Sequence, residues 1–390
     1  MDIARLRTVP FSFPQPGVLM PLSRRLVPAA AAAFVLGFSA LPASAQDTVN
    51  MGAVLSLTGA NATVGEDVRR AVALAVEKVN ADGGVLGKKF NVIVEDSGGN
   101  ATTALNAARK LVSVDKVPVV IGEYSSGITL PMAQYVVKEG VAHINIASTS
   151  VKIRDLGATS FNLIGLEDKG NQFSSKDVWD LGYRNVAMIA PNNAYGQGVV
   201  HGFKQEFEKL GGKIIAEALY TAGQSTYRRE LQQLSRSNPD AYIYTAYGQE
   251  SAVINREAME LGLRAKPFYA ILISMSLSDT APEIAKGQLG MEVGNVYGDA
   301  GKAYAAAFAA KHKEGMKTSY TGYAYDAVLM TAAAMNKAKS TDTAAVQAAL
   351  KEIGKGGYVG VTGPIVFDND RQRTDPPYAK LKFDGKVIPR

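Results

Sequence analysis

Cysteine is absent from the 390-residue chain, which excludes disulfides, thiolate metal sites, a cysteine nucleophile and a lipid-modified cysteine behind a signal. Histidine is scarce: His143, His201 and His312 are the only three. Each falls in a different expected element, so they offer neither a metal-ligand spacing nor a ready partner for a catalytic serine. No G-x-S-x-G elbow, HExxH or P-loop occurs. Beyond the N-terminus no apolar run reaches the roughly 20 residues needed to span a bilayer. Basic residues are dispersed, with no arginine-rich arm and no aromatic-interleaved basic run, so nucleic acid is not an expected partner.

What is present begins with a leader. Ser23-Arg-Arg25, the apolar stretch from Leu26 to Leu41 and the small-residue site Ala43-Ser-Ala45 read as a secretory signal over residues 1–45, with cleavage before Gln46. Met20 starts that signal cleanly, because the basic pair then directly precedes the apolar core. The arginine pair also suits a twin-arginine signal, but Pro28 interrupts the apolar residues that should follow, so the ordinary secretory route is the simpler reading. Residues 1–45 carry four arginines and one aspartate, so the formal charge of +6 falls to +3 in the mature chain.

From Thr48 onward short apolar runs alternate with longer amphipathic ones, the pattern of a parallel sheet covered by helices. Strands are expected at 49–55, 90–95, 117–122 and 141–146. Between them, 66–81 places Val68, Val72, Leu74, Ala75 and Val79 near one helical face, and 102–115 does so with Leu105, Ala108, Leu111 and Val112. The glycines of 82–87 read as a helix stop. A second series restarts near Asn185, with strands at 185–190, 213–219, 240–245 and 267–273 and helices at 197–210, 225–236 and 250–261. Three further helices are expected at 302–314, 323–338 and 343–353. The end reads as two strands, 363–367 and 378–383, joined by a polar loop. The fold class is therefore α/β with two Rossmann-like lobes.

Two strands end in hydroxyl clusters. Val117–Gly122 leads into Glu123-Tyr-Ser125-Ser126, and Val141–Ile146 leads into Ala147-Ser148-Thr149-Ser150. Ligands of open parallel sheets bind beyond the carboxyl ends of strands, where hydroxyls and helix-start N–H groups can hold an anion. Neither cluster carries a catalytic motif or a metal-ligand spacing, which suggests a cradle rather than a reaction centre. Tyr124, Tyr195 and Tyr247 also fall at strand ends, and Tyr320 and Tyr323 precede a helix. Any one tyrosine is usually half-buried packing, but together they would wall a shared cleft with rings and phenol hydroxyls. Tyr195-Gly196-Gln-Gly198 follows a strand and opens a helix, in the manner of a dinucleotide fingerprint, but the third glycine, Gly202, is one place late. A ligand-lining loop capped by its helix is the simpler explanation.

These residues resemble the leucine/isoleucine/valine-binding type of periplasmic solute-binding proteins, the type I receptors of ABC importers. The resemblance covers residues 47–390 and rests on Gly52-Ala-Val-Leu-Ser-Leu-Thr-Gly59 with Gly65, Val79-Asn80-Ala-Asp-Gly-Gly84-Val-Leu-Gly87, Val120-Ile-Gly122 with Ser125-Ser126, Tyr195-Gly196-Gln-Gly198, and Tyr323-Ala-Tyr-Asp326-Ala327. It implies a three-segment hinge near 165–167, 294–297 and 375–378. Lobe 1 would then comprise 46–166 and 296–376, and lobe 2 would comprise 167–295 and 377–390. It also implies that a ligand carboxylate is held by Ser126 and by Ala147, Ser148 and Thr149. Tyr124 and Ser125 stand beside this clamp, Tyr195 and Tyr247 contribute from the second lobe, and Tyr320 lines the side-chain pocket. One position departs from the family. Where leucine binders pair the ammonium with a glutamate, this chain has Leu272, which disfavours a zwitterion unless Glu250, Glu167 or Asp168 substitutes.

The expected protein is thus a periplasmic, monomeric binding protein without catalytic residues, metal or cofactor. It would take a small carboxylate, either an amino acid or an aromatic or keto acid, and deliver it to an inner-membrane ABC permease. Two alternatives remain open: a receptor feeding a membrane sensor, and an exported α/β enzyme.

Overall fold

The computed structural model describes residues 48–390 apart from Asn295; the expected signal lies outside the described residues. One sheet gathers β1 (Val49–Leu55), β2 (Phe90–Asp96), β3 (Val119–Gly122), β4 (Ala142–Asn145) and β5 (Ser160–Asn162) in the order β2-β1-β3-β4-β5, all parallel. The second sheet takes β6 (Asn185–Pro191), β7 (Lys213–Tyr220), β8 (Ala241–Tyr244), β9 (Phe268–Ile271) and β10 (Leu289–Val293). A short hairpin of β11 (Tyr358–Gly360) and β12 (Gly363–Ile365) stands apart, and β13 (Tyr378–Phe383) and β14 (Val387–Pro389) complete the second sheet as antiparallel edge strands. Its full order is β14-β13-β10-β9-β8-β6-β7.

The central strands β3, β4, β8 and β9 are buried at every residue, as expected of parallel strands covered on both faces, and this explains why they read as continuous apolar runs. Helix Ala62–Ala81 buries Val64, Val68, Val72, Ala75 and Val79 on one stripe, each large side chain contributing about 1.5–3 kcal/mol. Leu74 lies off that stripe and packs instead toward Val296, Tyr304 and Phe308. The next helix departs further from expectation: after Ala101–Arg109 the chain widens into a π-turn over Lys110–Val114. The buried set becomes Ala104, Ala107, Ala108 and Leu111, while Leu105 is only half-buried.

Two further expectations fail for tertiary reasons. The strand expected at 267–273 stops at Ile271, because Leu272 takes φ +55° and starts the short helix Ile273–Leu277. The closing pair, expected to be linked strands, divides between sheets: β12 pairs with β11, and β13 pairs with β10 and β14. The polar stretch between them carries Arg373, which donates to the carbonyls of Leu163, Thr362 and Pro364 and so fastens the crossing chain to the end of β5. Among the described residues, no helix is long and apolar enough to cross a membrane.

Candidate ligand-binding site

The carboxyl ends of both parallel sheets face one small cavity, lined by Tyr124, Ser126, Ala147, Ser148, Thr149, Tyr195, Tyr247, Leu272, Met275 and Tyr320. Nine of these ten were expected from sequence, and Met275 was not. The tenth expected residue, Ser125, stands just behind the wall, where its hydroxyl donates to the Tyr247 hydroxyl at 3.3 Å. Every lining residue is buried. A larger groove lies elsewhere, bounded by Tyr297, Lys302, Met316 and Ile388. It holds none of the residues expected from sequence.

The anion side is built by two turns locked together. After β3 the chain turns into helix Ser126–Lys138, whose first N–H groups lack helical partners and carry the positive end of the helix dipole. After β4, Asn145 shapes the second turn: its Oδ1 accepts from Ser148 N at 3.0 Å and its Nδ2 donates to Ser148 O at 2.7 Å. The Ser148 hydroxyl bonds Thr129 Oγ1 at 2.6 Å, and Ser126 Oγ accepts from Ser150 N at 3.3 Å, so each cluster holds the other. Ser148 therefore spends its hydroxyl on the scaffold.

Beneath these turns lie two fully buried ionisable groups that sequence reading did not bring into the site. Glu123 accepts from Ser97 Oγ at 2.7 Å, from Ser56 Oγ, and from Ser125 N at 2.9 Å. Burial raises its pKa while those donors pull it down, and the carboxyl faces the β1 and β2 loops rather than the cavity. His143 Nε2 lies 2.7 Å from Gly122 O, an acceptor only, so Nε2 carries the proton and Nδ1 accepts from Ser160 Oγ at 3.2 Å. Burial lowers the His143 pKa to about 4, so the ring is a neutral strut between β3, β4 and β5.

Tyrosine rings form the opposite wall. Tyr124 meets Tyr247 edge-on at 5.3 Å and Tyr320 at 5.5 Å, and Tyr195 lies 5.8 Å from Tyr247. Asn193 caps helix Ala194–Lys209 by accepting from Tyr195 N and Gly196 N, both at 3.0 Å, which fixes Tyr195 at the rim. Tyr195 bonds Thr245 at 2.7 Å, whereas the buried Tyr124 hydroxyl has no partner. The glycines of this segment serve packing. A Cβ at Gly196 would come 1.9 Å from Pro191 O, and one at Gly198 would come 2.1 Å from Glu167 Oε1.

No lining residue carries a charge. The three carboxylates that could replace the family's glutamate are placed differently. Glu250 accepts from Tyr220 Oη and Gly223 N, both at 2.9 Å, and Asp168 pairs with Arg154 at 3.0 Å on the surface. Glu167 alone reaches a neighbouring space. A second cavity of ≈ 270 Å³ shares the Thr149, Tyr195 and Leu272 walls with the first and includes Glu167 in its lining.

Comparison with known proteins agrees with this architecture. The profile of the periplasmic binding protein family matches residues 48–386. A Leu/Ile/Val-binding protein homolog of Brucella abortus is 26% identical over 354 residues, spanning 88% of this chain and 93% of its own. In fold, the chain resembles a branched-chain amino acid substrate-binding protein of Streptococcus pneumoniae solved with isoleucine (TM-score 0.78, 23% identity, 87% of this chain and 98% of that one). A solute-binding protein of R. palustris solved with benzoate superposes as well (TM-score 0.79, 17% identity, 88% and 95%). The chain belongs to the periplasmic binding protein family, as a type I member of its branched-chain amino acid group.

Proposed function

We propose that this chain is the receptor of an ABC importer for a small carboxylate that lacks an amine, such as an aromatic or keto acid. The observation that carries the reading is the uncharged wall at Leu272. An ammonium closed into this cavity would have no carboxylate opposite it, at a cost of several kcal/mol. The fold alone does not choose, since neighbours of the same fold hold isoleucine in one case and benzoate in the other.

Ser126, the start of its helix and Thr149 hold the carboxylate; Tyr124, Tyr195, Tyr247 and Tyr320 enclose the remainder. The lining offers no acid or base to the ligand, which suits capture without chemistry. Residues 46–166 with 296–376 and residues 167–295 with 377–390 close as two lobes about the segments 165–167, 294–297 and 375–378. Because ligand contacts come from both lobes, binding stabilises the closed form, and the permease reads its outer surface. The protein works as a monomer in the periplasm.

A thermal-shift screen of the mature protein tests the assignment. Stabilisation by micromolar aromatic or keto acids, with little from leucine, isoleucine or valine, is the expected result. Stabilisation by the branched-chain amino acids and not by the amine-free acids overturns it.

A further inference from the structure

The space beyond Leu272 is not accounted for by a carboxylate clamp and an aromatic wall. It is bounded by Ile271, Met291, Val293 and Val199, with Glu167 as the one carboxyl in its lining. Glu167 is only 6% exposed; its Oε1 accepts from Val151 N at 3.1 Å, and its buried Oε2 makes no hydrogen bond of ordinary length, the Ser150 hydroxyl being the one side-chain donor near the carboxyl. A buried carboxyl oxygen without a partner is costly, and such a group in an apolar chamber marks a place where another molecule can supply the missing bond. The backbone places Glu167 against the clamp, since its N–H donates to Thr149 O at 2.7 Å. Gly198 leaves the carboxyl its room, since a Cβ there would come 2.1 Å from Glu167 Oε1 and force the side chain to move.

Position points the same way. The two cavities adjoin, with Thr149, Tyr195 and Leu272 lining both. A ligand whose carboxylate lies at Ser126 and Thr149 would reach the second chamber by passing Leu272.

Resting on the amine-free reading of the cleft, we propose that the Glu167 chamber is a distal subsite that selects acids carrying a hydroxyl at the end opposite the carboxylate, such as a para-hydroxylated aromatic acid. The hydroxyl and the Glu167 carboxyl each donate or accept, so one bond satisfies both groups. Burial, opposed by the Val151 N–H bond, raises the Glu167 pKa to about 8; Asp168 adds to the rise, and Lys152 and the Ser150 hydroxyl counter it. A carboxyl that is mostly protonated at neutral pH suits a neutral hydroxyl and gives little to an ammonium. Glu167 is thus a specificity-determining residue, distinct from the clamp.

Calorimetric titration of the mature protein with phenylacetate, 4-hydroxyphenylacetate, 4-aminomethylbenzoate and leucine tests this. The hydroxylated acid is expected to bind at least tenfold more tightly than phenylacetate. In Glu167→Leu that preference should vanish or invert, read as the ratio of the two affinities in the same variant; a merely structural role would weaken both acids alike and leave the ratio unchanged. If Glu167→Leu does not fold, Glu167→Gln takes its place, with the preference expected to shrink to below fivefold. Phenylacetate binding without a preference for its hydroxylated form overturns the subsite alone, as does a preference that survives Glu167→Leu or tighter binding of the aminomethyl acid. Binding of leucine but neither phenylacetate overturns the amine-free reading itself, and the subsite with it.

Discussion

The first sheet meets the cavity through Ser126, Ala147, Ser148, Thr149 and one ring, Tyr124, whereas the second meets it through larger side chains alone, Tyr195, Tyr247, Leu272 and Met275. Behind the first lies a dense polar scaffold: Asn145 ties its turn, Glu123 gathers three donors, and His143 bridges strands. Behind the second lies a network of its own: Ser276 ties Ala246 N to Ile271 O, Asn255 and Gln288 join Tyr244, and buried Glu292 accepts from Ser274 N. The contrast separates two tasks. A carboxylate is common to every ligand of this kind, so the surface that holds it can be rigid and conventional. The opposite surface meets whatever distinguishes one acid from another, and single residues there can change the ligand without disturbing the anchor.

The sharpest way to break that division is Leu272→Glu. A carboxylate facing the bound anion should lower affinity for an amine-free acid more than 100-fold, about 3 kcal/mol or more, and let leucine bind, as titration with both ligands would show. If neither affinity changes, Leu272 does not face the ligand. The replacement should fold, since Leu272 is itself a side-chain-bearing residue at positive φ.

Next in size is the acid sensitivity of the anchor's scaffold. The folded-state pKa of His143, about 4, lies below its unfolded value of about 6.5, so between those values the unfolded chain binds more protons. Its contribution to stability is therefore complete above pH 6.5 and is lost as pH falls toward 4, about 3 kcal/mol in all. Burial raises Asp67 and Asp326 to about 6, and these act in the opposite sense over part of the same window. The His143 contribution is accordingly read as the difference between wild-type and His143→Gln urea unfolding across pH 4–7; parallel curves would refute it.

Ser126→Ala should weaken every carboxylate ligand alike by about 1.5–3 kcal/mol, the range of a hydrogen bond to a charged group. A loss confined to one ligand class would move Ser126 from anchoring to selection. The smallest effect is expected from Tyr320→Phe. Its hydroxyl reaches only the Met275 sulfur at 3.4 Å, a weak acceptor, so ligand affinity should stay within about threefold. A larger drop would mean that this hydroxyl meets the ligand directly.

The hydroxyl side of the cavity was legible in sequence because it is local: hydroxyls directly follow two apolar strands, and parallel topology puts both strand ends on one edge. Met275 was hidden by the expectation that β9 continues to residue 273. The apolar run Leu272-Ile273 reads the same as strand or buried helix, and only the left-handed backbone at Leu272 turns Met275 inward. Glu167 read as a helix-start charge, since nothing in its neighbourhood shows that Gly198 and Val151 will close over it. The closing strands were visible as strands, but which sheet each joined was not, because pairing partners lie far away in sequence.

By itself, then, the sequence determined the alternation of strand and helix, the hydroxyl tips, the tyrosines and the absence of a glutamate at residue 272. Period and turn chemistry act over a few residues, so a single chain displays them. The tertiary structure alone decided that tips from two sheets share one cavity, that a second chamber adjoins it, and that Glu167 lines that chamber as a buried carboxyl. Those outcomes depend on burial, and burial is settled by what distant segments place on top of a residue.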